Sequence, residues 1–303
     1  MQCYHTVMML FLRISLFLLV TVSEVDAAIN IVLDYGVTST ADIETYGATF
    51  EAAESFWEAN LTGYSDGPLA PTSVTLNVAL GNIDGVGGTL GSAGPTLANT
   101  QGNFLETTQG NMTFDTSDIG GLVSAGTFEA VIRHEMAHVL GFGTLWSSSG
   151  AGQPGFQEVY VDGTGEYTGA FGLAAFQTEF NQPAATYVPV ELDGGVGTAN
   201  GHWNVGFDLG VDKEVVDSRD DPGDSIIYVS VNNGQQLANE LMSGFLTGDA
   251  WLSNTTLQSF RDLGYEIELS PVPEPGLFSA LLGFSALAVV LSRRRPVSTC
   301  QQI

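Results

Sequence analysis

His134-Glu135-Met136-Ala137-His138, continuing Val139-Leu140-Gly141-Phe142-Gly143, is the stretch that decides how this chain is read. Helical spacing puts His134 and His138 one turn apart on one face, so both imidazoles can reach a single metal ion. Glu135 follows the first histidine and lies beside that ion, placed to take a proton from a water held there. Thr127 is positioned to cap this helix, with Glu129 in its first turn, and Gly141 is positioned to end it.

Working outward, the histidine inventory sharpens the signal. The 303 residues contain four histidines, and His5 lies in an apolar leader. The body therefore offers His134, His138 and His202. A catalytic zinc site needs three protein ligands and one open position.

Composition removes several function classes. Outside the terminal segments, Arg133, Lys213, Arg219 and Arg261 face 31 acids, which are the 34 of the chain less Glu24, Asp26 and Glu274. Such a negative body argues against nucleic acid and against attraction to anionic membrane, and favours solubility. Cys3 and Cys300 both lie in the terminal segments, so the body has neither a disulfide framework nor a thiol to block a metal.

Both ends read as addresses. Met8 to Val22 is apolar around Arg13, and Val25-Asp26-Ala27 supplies small residues at a signal-peptidase site, so residues 1–27 read as a secretory signal. Residues 271–303 contain Val272-Pro273-Glu274-Pro275, an apolar run over 276–292, and Arg293-Arg294-Arg295. The run is at the short end for a membrane span, and the arginines place the body outside the membrane. This tail resembles the PEP-CTERM sorting signal of Gram-negative bacteria. The resemblance implies recognition by an exosortase-type processing enzyme, cleavage near the Pro-Glu-Pro, and release or attachment at the cell surface. A plain anchor is the alternative. Membrane contact is expected only through this segment.

Residues 28–270 are left as the folded domain. Strands are expected at Ile29 to Tyr35, Ser73 to Leu80 and Asn111 to Asp115, and a helix over Ala48 to Asn60. The glycine-rich Gly81 to Thr96 lacks the spacing and the following helix of a nucleotide loop. After Gly141 the pattern turns irregular. Phe207 to Asp224 carries seven acids and two bases and reads as a solvated loop, with Ca2+ binding as the alternative.

The short-spaced position for a third ligand, three residues after Gly141, is occupied by Thr144, a poor zinc ligand. The other histidine is His202, in Gly201-His202-Trp203. A glycine turn after the helix, followed by a long insertion before the third ligand, resembles the leishmanolysin-like peptidases, metzincin-type zinc enzymes, and especially their bacterial members. The segments that carry the resemblance are Gly87 to Pro95, Asn111 to Ile119, His134 to Trp146, Gly197 to Trp203 and Asn239 to Leu246. It implies an α+β, two-lobed zinc-peptidase domain, with a mixed twisted sheet and the active-site helix above and an irregular lobe below. His134, His138 and His202 would bind one Zn2+, Glu135 would be the general base, and Met242 would form the Met-turn beneath the metal. Leu90, Gly91, Ser92 and Ala93 would be the edge strand that pairs with extended protein or peptide substrates. The body departs from the family's parasite enzymes in having no cysteine, and Gly244 stands where some metzincins keep a tyrosine.

The expected function is exported zinc endopeptidase. Two other classes stay open: a surface or matrix protein that keeps the fold without activity, and a zinc amidase acting on an envelope polymer. Retention of Glu135 with all three histidines argues for an enzyme.

Overall fold

In a computed structural model the described residues run from 29 to 268, less Val37, 65–72, 148–157, Asp193, Val196, 205–226, Thr247 and Asp249. The signal segment, the sorting tail and the acidic run at 207–224 lie outside them. No helix among the described residues is long and apolar enough to cross a membrane.

The first half is built on a four-stranded sheet. Its strands are β1 (Asn30–Asp34), β3 (Ser73–Gly81), β4 (Gly91–Gln101) and β5 (Phe104–Asp115), in the order β1-β3-β5-β4. β1, β3 and β5 are parallel, and β4 returns antiparallel along the edge of β5, so the sheet is mixed. Alternation in β3 buries Val74, Leu76 and Val78 on one face. Two helices pack on the sheet, α1 (Thr40–Asn60) and α3 (Phe128–Val139), between them burying Phe50, Trp57, Val131, Ile132 and Met136. Trp57 ties the pair together by donating its indole N–H to Arg133 O at 2.9 Å. Gly110 lets α3 come close, since a Cβ there would sit 2.2 Å from Val139 Cγ1.

Three local expectations change. α1 starts eight residues before Ala48, because Ser39 caps it by accepting the Asp42 N–H. The second half of the glycine-rich stretch is strand β4, and Asn111 to Asp115 is the end of a twelve-residue β5. Thr127 does stand at the start of α3, but its side chain makes no capping hydrogen bond, and its own backbone is already helical.

The first half of the glycine-rich stretch is held by carboxylates. Asp115 caps α2 (Thr116–Ala125) through Ser117 N and accepts the N–H groups of Ile83, Asp84 and Gly85 on its other oxygen. These bonds, led by that from Ser117, hold its carboxyl below the usual carboxylate range. Asp118 takes the Gly87 N–H in the same way.

The second half is less regular but contains an ordered helix pair, α4 (Ala170–Glu179) and α5 (Asn254–Asp262). Each ends in a buried carboxylate that serves the start of the other. Glu179 accepts from Asn254 N and Thr255 N, and Asp262 accepts from Phe171 N and Gly172 N. Free amides at a helix start are thereby satisfied without water. The remaining elements are small: β6 (Glu166–Tyr167) pairs with β7 (Val188–Pro189), and β2 (Leu61–Tyr64) pairs with β8 (Tyr265–Ile267). An aromatic cluster joins the halves. Trp203 packs on Phe142 and Trp146 with ring centroids 5.1 and 5.0 Å apart, and Phe260 reaches Trp57 at 5.1 Å.

Candidate metal centre

α3 turns its apolar residues into the core, and that orientation aims His134 and His138 at one spot. The helix cannot continue, because the chain turns sharply through Gly141 (φ 111°) and Gly143 (φ 70°). Gly143 then lies against the backbone of Gly201, where a Cβ would be only 2.3 Å from the Gly201 carbonyl oxygen. This backbone contact brings in the next residue, His202, from 64 positions beyond His138.

The three histidines converge. The Nε2 atoms of His134, His138 and His202 are mutually 3.0 Å apart. Each Nδ1 faces a backbone carbonyl: His134 that of Leu241 at 2.7 Å, His138 that of Phe142 at 2.9 Å, and His202 that of Thr198 at 2.8 Å. A carbonyl only accepts, so each Nδ1 carries a proton and, in a neutral ring, each Nε2 is a bare lone pair. Burial lowers the affinity of all three rings for a second proton, pushing His202 down to about 3, with neighbouring histidines adding to the effect at His138 and His202. Three bare lone pairs aimed at one another repel unless a cation lies among them.

The donor set fits such a cation. Imidazole nitrogens about 2.0–2.1 Å from a tetrahedral metal would be about 3.3 Å apart, a few tenths of an ångström more than the observed triangle. The carbonyl bonds behind each ring are the outer support such ligands ordinarily have. His134, His138 and His202 thus form a group able to hold a metal ion, as the sequence spacing indicates. Thr144 does not join it, because its hydroxyl donates to His138 O at 2.6 Å.

Glu135 follows His134 on α3 and is 6% exposed. Burial alone pushes its carboxyl up to about 8. Its side chain lies against Gly91, the first residue of β4. Gly91, Ser92 and Ala93 are on the outermost strand of the sheet, paired with Phe114, Thr113 and Met112, and Leu90 immediately precedes it. Gly91, at the start of the outermost strand, therefore packs against Glu135.

Met242 is fully buried. Its carbonyl accepts the Trp203 N–H at 3.1 Å, and the preceding carbonyl, of Leu241, orients His134. Gly244 lies against the His202 loop, and a Cβ there would be 2.5 Å from Thr198 Cγ2. Any side chain at that position would press on the Thr198 methyl group.

The sequence reading missed the supports. Thr198, Leu241 and the buried Glu240 went unnamed, and Gly91 was named only as part of the edge strand, because backbone acceptors and a close glycine contact leave no mark in residue chemistry. No protein-family model matches the chain, and no curated protein matches it.

Proposed function

We propose that the chain is an exported zinc-dependent endopeptidase with a metzincin-like, two-lobed domain. The observation that carries this reading is the triangle of bare Nε2 atoms, two of them from the helix that also carries the buried Glu135. Three neutral nitrogen donors suit zinc, whereas calcium takes oxygen ligands. Bound zinc would acidify a water and polarise a carbonyl.

Within that reading each residue has a task. His134, His138 and His202 hold the ion and, being neutral, leave its positive charge uncompensated for a developing oxyanion. Glu135 takes the proton of the attacking water and passes it to the leaving amine. Burial raises its basicity, and a neighbouring cation draws it back toward the ordinary carboxylate range. β4 offers free main-chain N–H and C=O groups to an extended peptide, which would pass the Glu135 carboxylate where Gly91 touches it. Such pairing asks little of side chains and suits protein substrates of many sequences. Met242 forms the turn under the site. The signal over 1–27 and the tail over 271–303 deliver the enzyme outside the inner membrane.

The test is casein cleavage by the purified protein. Hydrolysis should stop with a chelator and return with zinc. Glu135→Ala should retain zinc but lose activity by about a hundredfold or more, the usual scale of general-base help. Absence of metal-dependent hydrolysis, or near-normal activity in Glu135→Ala, would remove the proposal.

A further inference from the structure

Glu240 is a carboxylate with 2% exposure in the second half of the chain, and among the described residues no cationic side chain pairs with it. Four donors satisfy it instead. One oxygen accepts Ser253 N at 2.9 Å, Ser253 Oγ at 2.9 Å and Thr256 Oγ1 at 2.6 Å, all at the start of α5. The other accepts the Met242 N–H at 2.5 Å. Thr256 Oγ1 in turn accepts the indole N–H of Trp203 at 2.8 Å.

We infer that Glu240 is a positioning residue for the metal centre, clamping its two non-helical sides to α5. On one side, the bond to Met242 N fixes the turn whose Leu241 carbonyl orients His134. On the other, the relay through Thr256 fixes Trp203, the residue after His202. The two sides also meet directly, since Trp203 N donates to Met242 O and Trp203 bridges Ser243. Apart from the three residues Leu237–Asn239, the described residues of 227–253 have no helix of their own to hold this geometry. A buried carboxylate costs free energy unless all its acceptor capacity is used, and here that capacity is used on both sides of the site.

Glu179 provides an internal control. It too is 2% exposed and accepts from the start of α5, through Asn254 N, Thr255 N and Thr255 Oγ1. Its carboxylate bonds reach α5 from α4 and bypass residues 202–203 and 241–243. A merely structural role in capping α5 would make the two glutamates equivalent.

The inference rests on the histidines holding a metal and is independent of peptidase activity. Its test uses Co(II) as the probe, read by metal affinity and by the visible absorption that reports ligand geometry. Glu240→Gln puts an amide N–H₂ against donors. It should weaken Co(II) binding by about ten- to a hundredfold, the range for lost support behind metal ligands, and should shift the absorption band. Glu179→Gln should lower thermal stability but keep wild-type affinity and spectrum. Equal affinity and spectrum in both variants, or equal loss in both, would overturn the inference. Should Glu240→Gln fail to fold, Thr256→Val cuts the relay to Trp203 alone. It should weaken Co(II) binding several-fold with a spectral shift, and a wild-type result there would equally overturn the inference. A wild-type protein that takes up neither cobalt nor zinc would instead defeat the metal-centre reading beneath it.

Discussion

Gly91 and Glu135 touch so closely that a Cβ on Gly91 would lie 2.7 Å from the Glu135 carboxylate and 2.8 Å from its Cγ. The first residue of the edge strand thus forms the wall that holds the carboxylate in place. Gly91→Ala should push Glu135 off its position while leaving the histidines alone. The expected result is a loss in turnover on the order of a hundredfold, as small displacements of a catalytic group produce, with zinc content unchanged. Unchanged turnover would show that the carboxylate tolerates another position.

Thr144 occupies the place at which a short-spaced third ligand would stand, yet its hydroxyl is spent on the His138 carbonyl. Thr144→Val should therefore leave zinc affinity within error of wild type. It should lower stability by about 1 kcal/mol, the typical contribution of such a hydrogen bond. Denaturant unfolding and metal titration on one sample check both parts.

What the sequence made legible follows where the physics is local. His134 and His138 are set by helical spacing, and β3 by strict alternation. His202 follows from the inventory, since the body holds no fourth histidine. The supports depend on backbone atoms that meet only in the fold, such as Leu241 O and Thr198 O. Helix α5 escaped because its buried face includes Thr255, Thr256, Ser259 and Asp262, polar residues that hydrogen bonds make acceptable inside. Helix α4, AFGLAAFQTE, is nearly apolar over its first seven residues and shows no helical period. The start of α1 lacks an apolar stripe, and its signal is the Ser39 cap.

The three histidines also set a pH dependence for the metal-free protein. Burial holds His202 at about 3, below the ordinary value near 6.5, and lowers His134 and His138 as well. At these rings the folded state thus binds fewer protons than the unfolded chain once the pH falls below about 6.5, so their contribution to stability falls with acidification. For His202 the loss should approach about 1.4 kcal/mol per pH unit, continuing toward its folded value. Glu135, raised to about 8, and Glu240, raised to about 7, titrate in the opposite sense over the same range, so the readout is the difference between chelator-stripped wild type and His202→Asn from pH 6.5 to 5, where the wild type should lose more stability on acidification. An equal slope in the variant would contradict the assignment.

The terminal segments predict a processed chain. Intact-mass measurement on protein from its native host should show residues 1–27 removed and a C-terminus near residue 275. A chain ending at Ile303 in the membrane fraction would mean that the tail is a plain anchor and the enzyme works tethered.

The most direct test of the whole account is the zinc content of the purified protein beside that of His202→Ala, after dialysis against a weak chelator. Close to one zinc per wild-type chain and a sharp loss in the variant are expected, because the third Nε2 of the triangle is gone. Zinc retained equally by His202→Ala, or no zinc in the wild type, would contradict it.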